Sequence, residues 1–409
     1  MLQHDGETRS VLGEPARPTS GPASGPASGP APGPAPGTVR RLDFDVVIAT
    51  RNRPEALALS IPLILGQSRR PRRLVVIDSS DDHAPVAETV ARTTAGWDGA
   101  VILEHSEPGL PRQRNRGLLH VGSEIVFFPD DDSLFHPGTS EAIMRAYELD
   151  AEGRIAGVCA ANALEPPPGA LSGARYQMTA AHRHRARTSL YRRRLNLQFN
   201  WGRPLVQLGG LFRARAAPLG WFAAENCVLV EYMEGYRMSF RTAAIRAEGF
   251  DETLTAYANA EDMDASFAAT RHGCLVGAQN ARIYHHKFPS GRGNQYTLGI
   301  MKVLNDVYVV LKHVHDGGLA PAESERMRWL VRQYYCRLMV LRRLPRVYRR
   351  GSRDELRGVL AAREGVKAML DAPREELSRV YSETFARLAP ETASAPSGSK
   401  RMPEPGGFA

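Results

Sequence analysis

Cysteine is scarce in this 409-residue chain, and the four present (Cys159, Cys227, Cys274 and Cys336) lie far apart. Without CxxC spacing they suit neither a disulfide framework nor a zinc site, so reduced thiols in a cytoplasmic protein are expected. No apolar run reaches the roughly 18 to 20 residues that a spanning helix needs. The first residues also lack the apolar centre of a signal peptide. The Gly/Pro/Ala/Ser stretch TSGPASGPASGPAPGPAPGT has no apolar periodicity and cannot offset its ordering entropy. Residues 1–40 are therefore expected to be a disordered tail, as are residues 389–409. Glycine does not recur strictly at every third position, which excludes a collagen-like reading.

Between the tails the composition is that of a folded protein, with 43% hydrophobic residues. The formal net charge is +9, with much of the excess in HRHRARTSLYRRR (182–194) and the Arg-rich C-terminal third. Such a charge suits nucleic acid, an anionic membrane surface or a phosphorylated substrate. No nucleic-acid-binding signature accompanies it, so no nucleic acid partner is expected.

Order begins near residue 43. FDVVIAT (44–50) reads as a strand, and Leu57, Ile61, Ile64 and Leu65 then recur at helical spacing behind Pro54. Pro62 predicts a kink or an early stop there. RLVVIDSS (73–80), AVILEHS (100–106) and EIVFF (124–128) read as further strands, separated by helical stretches at 84–96 and 109–122. This alternation predicts a doubly wound α/β fold with a mostly parallel sheet flanked by helices. Ligands in such sheets bind beyond the carboxyl ends of the strands. Thr50, Asp78 and Asp130 each follow a strand, so the fold gathers them at one edge. The run IVFFPDDDSLFHP places three aspartates at that edge. Either they are a solvated turn, or a cation offsets their repulsion.

VVIATRNRPEAL, LVVIDSSDD, GLPRQRNRGLLHVGSEIVFFPDDD, EGYRMSFRTAAIRAEGFDE and AEDMDASFAATRHG resemble, in order, the blocks of the family 2 glycosyltransferases of GT-A fold. The resemblance covers residues 44 to 290. It implies an inverting, metal-dependent transfer from a nucleoside diphosphate sugar, UDP- or dTDP-linked. The acceptor would be a hydroxyl on a cell-surface glycan, a glycolipid or a secondary metabolite. Asp130 and Asp132 then match the DxD pair, whose hard oxygens suit Mg²⁺ or Mn²⁺, with Asp131 beside the donor. Asp78 matches the residue that contacts the nucleotide base, and Thr50, Arg51 and Arg53 the lining of the nucleotide pocket. Arg114, Asn115 and Gly117 resemble the ARNxG block, where an arginine pairs with phosphate. Asp262 becomes the general base of the ED block and Glu261 the residue that positions the acceptor. Gly235 and residues 238–241 match the loop approaching the donor sugar. A histidine after the base completes the metal site in this resemblance; His285 and His286 both qualify, and His286 is preferred. Lys287 and Arg292, beside Gly291 and Gly293, suit a basic loop over the phosphates.

The sequence departs from the pattern at Pro129, at the DDD run, and in the 164–205 insert, which is expected to face the acceptor. The division is then 41–294 for the catalytic domain and 295–388 for a helical C-terminal region. There, 296–314 and 352–370 read as helices, and 327–350 is apolar on one side and Arg-rich on the other. Such a helix can pack on the domain or lie on the inner face of a membrane as a peripheral contact, which would suit a lipid-linked acceptor. Two rivals remain. A sugar-nucleotide pyrophosphorylase needs a Gly-rich loop after the first strand, and ATRNRPEA has no glycine. A non-catalytic nucleic-acid- or membrane-binding protein leaves the acidic pairs without a role.

Overall fold

The computed structural model describes residues 40–171, 203–254, 259–287, 294–339 and 352–389. The β-branched runs form β1 (Phe44–Thr50), β2 (Arg73–Asp78), β3 (Ala100–His105) and β4 (Ile125–Phe128). Between them lie α1 (Pro54–Leu65), α2 (Ala84–Thr93) and α3 (Leu110–Leu118). Each of these helices has a proline in its first two positions, where a missing N–H costs no helical bond. Pro62 falls in the last turn of α1, and the helix stops at Leu65, so the expected early stop occurs.

The chain continues through β5 (Ser133–Phe135), α4 (Thr139–Leu149), β6 (Ile155–Asn162), α5 (Pro204–Arg213), β7 (Cys227–Leu229) and β8 (Met238–Arg241). Then follow α6 (Thr242–Glu248), α7 (Glu261–Ala269) and the long β9 (Cys274–His285). The nine described strands form one sheet in the order β3-β2-β1-β4-β8-β6-β9-β5, with β7 on β9. Six strands point one way; β5, β7 and β8 run against their neighbours. The sheet is thus mostly parallel and flanked by helices, as expected. After β3 the chain crosses back over β1 to lay β4 on its other side, so the switch point lies between β1 and β4.

Alternation divides the strand side chains between two apolar layers. Val46, Ile48, Leu74 and Val76 pack with α1 and α4, while Val47, Val75, Ile77 and Phe128 face the other side. Gly117 brings α3 close to the second face, where an added Cβ would lie 2.3 Å from Val47 Cγ1.

The C-terminal region is helical: α8 (Gln295–Asp316), α9 (Pro321–Gln333), α10 (Ser352–Ala361), α11 (Arg363–Asp371) and α12 (Leu377–Leu388). Ile300, Met301, Leu304, Val307 and Leu311 are buried along α8, as their spacing predicts. Their core also includes Leu205, Phe212, Met263 and Phe267, so one apolar core runs across residue 294. After α9 comes one π-helical turn, Tyr334–Leu338. The rest of the basic 327–350 stretch, the basic run 182–194 and the tail residues 1–39 and 390–409 lie outside the described residues.

Candidate active site

Because β1 and β4 are parallel neighbours, the residues after each strand meet at one edge. Thr50 Oγ1 donates to Asp131 Oδ2 at 2.8 Å. Arg53, at the start of α1, spans the next two carboxylates: its Nη1 is 2.7 Å from Asp131 Oδ1 and its Nη2 is 3.0 Å from Asp132 Oδ2. Arg114 comes from α3 on the other side. Almost fully buried, it sets Nη2 3.0 Å from Asp130 Oδ1 and Nη1 2.6 Å from Glu261 Oε1. The three aspartates are therefore not a solvated turn, since Asp131 and Asp132 are buried and all three are paired with arginines.

Asp130 and Asp132 each turn one oxygen to an arginine and the other towards His285. His285 Nε2 is 3.3 Å from Asp132 Oδ1 and 4.0 Å from Asp130 Oδ2. One ligand atom from each of these three residues lies within 4.8 Å of the others. Two hard oxygens and an imidazole are a donor set that fits a divalent cation. The His285 ring stacks on Tyr236 with centroids 4.5 Å apart, and Tyr236 is anchored by donating its hydroxyl to Asn162 Oδ1 at 3.0 Å. The histidine brought to this group is thus His285, where His286 was expected. The register decides it: Ser133, next to Asp132, pairs with His285 across β5 and β9. His286 meets Asp132 through its backbone N–H, which donates to the Asp132 carbonyl.

Burial raises the carboxyl groups here. It pushes Asp131 up to about 7 against the pull of Arg53, and Glu261 up to about 8 against that of Arg114. Asp130 and Asp262 move in the same direction for the same reason. Asp262 is the more exposed of the α7 pair. Its Oδ2 accepts from Gly235 N at 2.9 Å and its Oδ1 from Met263 N at 2.8 Å. Gly235 reaches this edge because β8 starts beside the end of β4.

Other expected residues are placed differently. Asp78 is fully buried, and both its oxygens are engaged within its own loop. Arg51 pairs with Asp81 at 3.2 Å. Asn115 does not join the carboxylates; its amide holds the backbone of Phe250 from both sides. Lys287 ends a described stretch in a left-handed conformation, φ 54°. Arg292, with Gly291 and Gly293, lies outside the described residues. Sequence reasoning missed Tyr236, Asn162 and Gln113, whose amide donates to the Thr50 and Ile77 carbonyls and ties β1 to β2. No local sequence pattern marks the first two.

Residues 45–202 match the family model described as glycosyl transferase family 2. The matched segment contains the first three of the five motif blocks that resemble this family. The mannosyltransferase PcManGT from Pyrobaculum calidifontis, solved with GDP-Man and Mn²⁺, is 18% identical over 88% of this chain and 89% of that one, at a TM-score of 0.47. TarS 1–349 from S. aureus is 12% identical over 87% and 93%, at 0.44. GalNAc-T7 with UDP, GalNAc and Mn²⁺ is 13% identical over 86% and 56%, at 0.47. No curated protein sequence matches the chain.

Proposed function

We propose that this protein is an inverting, metal-dependent glycosyltransferase that uses a UDP- or dTDP-linked sugar. Its acceptor would be a hydroxyl of a cell-surface glycan, a glycolipid or a secondary metabolite. One observation carries the reading: Asp130 and Asp132 each commit one oxygen to a buried or half-buried arginine and leave the other facing His285. A divalent cation held by Asp130, Asp132 and His285, Mg²⁺ or Mn²⁺, would neutralise charge on the departing diphosphate. Arg53 and Arg114 hold the two aspartates so that one oxygen of each is directed at His285. Asp262 takes the proton from the acceptor hydroxyl as that oxygen attacks the anomeric carbon. Its raised affinity for a proton suits a base, and the N–H groups of Gly235 and Met263 fix its orientation. Glu261, locked to Arg114, positions the acceptor side. In this reading residues 41–294 are the catalytic domain and 295–388 brace it. No helix among the described residues is long and apolar enough to cross a membrane. We place the protein in the cytoplasm, with its basic C-terminal helices on the inner membrane face near a lipid-linked acceptor.

Calorimetric titration of nucleoside diphosphates, with and without Mn²⁺, tests the reading. Wild type should bind UDP or dTDP only with the metal, and Asp132→Ala should weaken that binding by roughly 100-fold. A folded protein that binds no diphosphate under either condition would overturn it.

A further inference from the structure

Two histidines outside the proposed metal group stand on the same edge of the sheet. His83 precedes α2, and His105 is the last residue of β3. Their rings meet edge to face, with centroids 5.2 Å apart. Asp78, at the end of β2, lies beneath them with no exposed surface. Its Oδ1 accepts from Ser80 N at 2.9 Å and from Ser80 Oγ, and its Oδ2 meets His83 Nδ1 at 2.7 Å. With no exposed surface and both oxygens engaged by Ser80 and His83, Asp78 stands behind the His83 ring.

The loop after β2 is continuous with the tri-aspartate site. Ser79 N donates to the Thr50 carbonyl at 3.0 Å, and Asn52 N donates to Ser80 Oγ at 2.7 Å. Asn52 Nδ2 reaches Asp81 at 2.9 Å, and Asn52 itself is held at φ 53°. Thr50 then leads to Asp131. Neighbouring strands are about 4.8 Å apart, so the ends of β2 and β3 lie roughly 10 and 14 Å along the edge from β4. A diphosphate anchored beside Asp130 and Asp132 and running towards β2 would bring its nucleoside over this loop.

We propose that His83, not Asp78, reads the nucleobase, and that Asp78 is a positioning residue that sets the His83 ring. The inference rests on the donor-site reading above. A carboxylate oxygen accepts, so the His83 proton sits on Nδ1 and leaves Nε2 as an acceptor. Nε2 has no hydrogen-bond partner among the described residues, and the side chain is 35% exposed. By the same logic the Ser80 carbonyl, 2.9 Å from His105 Nε2, makes that nitrogen the donor and fixes the neighbouring ring. An acceptor at Nε2 favours a base that presents a ring N–H on its pairing edge: uracil, thymine or guanine. Cytosine and adenine present a bare ring nitrogen there, which would face the Nε2 lone pair.

The test is titration of UDP, dTDP, GDP, CDP and ADP with Mn²⁺ into the full chain, as wild type, His83→Ala and His83→Gln. Wild type should prefer its best N–H-bearing base over CDP and ADP by about tenfold or more. His83→Ala should bring that ratio to within about twofold by weakening the preferred diphosphate alone, and His83→Gln, which keeps an acceptor oxygen, should restore part of it. Equal weakening of all five would make His83 merely structural and overturn the inference. So would an unmoved ratio, which leaves the donor-site reading intact. Wild type that binds no diphosphate removes both readings together. Asp78, His83 and His105 can also gather three ligand atoms. A Mn²⁺ equivalent bound without nucleotide and lost in His105→Ala would overturn base reading in favour of a metal centre.

Discussion

The molecule holds two buried clusters of carboxylates, both built partly on α7, and they have opposite electrostatics. At the proposed active site, Asp130, Asp131, Asp132, Glu261 and Asp262 share Arg53, Arg114 and His285. One turn further along α7, Asp264 and the nearby Asp251 meet Lys312 at 2.9 and 2.7 Å, with His313 2.8 Å from Asp264. Burial raises the first set. It opposes ionisation in the second set too, but there Lys312 outweighs it and pulls Asp251 down to about 2. Asp264 is lowered as well, by Lys312 and His313. The second cluster is balanced and the first is short of positive charge. Five carboxylates, three of them buried, facing two arginines are costly unless another cation enters, which is what a catalytic metal and its diphosphate partner would supply. The balanced cluster instead fastens α7 to α8, and so fixes where Glu261 and Asp262 stand.

The sharpest way to test the first half of this contrast is Asp262→Asn. It removes a proton acceptor while preserving size, so turnover should fall by roughly 10²- to 10⁴-fold. Metal-dependent donor binding should stay within a few-fold of wild type, because Asp262 makes none of the proposed metal contacts. Turnover above a tenth of wild type would remove Asp262 as the base. The second half is tested by Lys312→Met, which leaves Asp251 and Asp264 buried without their shared cation. Breaking such a group costs about 3–5 kcal/mol. Chemical unfolding should show a loss of that order, and a change below about 1 kcal/mol would mean that the cluster does not hold α7 in place.

The two clusters also differ in how far the sequence reveals them. Strands β1 to β4 and the acidic blocks are local: a β-branched run and the residues that follow it define each one. The arginine partners are not, since Arg53 lies 78 residues from Asp131. The insertion of β8 against β4 is equally non-local, and it is what brings Gly235 to Asp262. Choosing between His285 and His286 required the β5–β9 register, which alternation alone does not supply. Asp78 had a readable signal: a serine two residues on, in DSSDDH, marks a side chain that bonds its own loop. The Lys312 cluster had none. Lys312 and His313 sit in an apolar helix, where a charged pair looks like a surface face until the partners on α7 are seen.

One further experiment sets the two clusters against each other. Asp251 binds its proton less readily in the fold than the ordinary 3.8, at about 2. Its stabilisation is present above pH 4 and is lost as pH falls from about 4 to about 2, a change of about 2 kcal/mol. Glu261 moves the other way, from the ordinary 4.5 to about 8. It binds its proton more readily in the fold, so its contribution is present below pH 4.5 and is lost as pH rises to about 8. Unfolding free energy measured by urea across pH 2 to 9 should therefore decline on both limbs for the ligand-free protein. Mn²⁺ with a nucleoside diphosphate should flatten the upper limb, because positive charge beside Asp130 relieves the carboxylates next to it, and should leave the acid limb in place. An upper limb unchanged by metal and nucleotide would show that the carboxylates around Arg114 do not share a site with the donor.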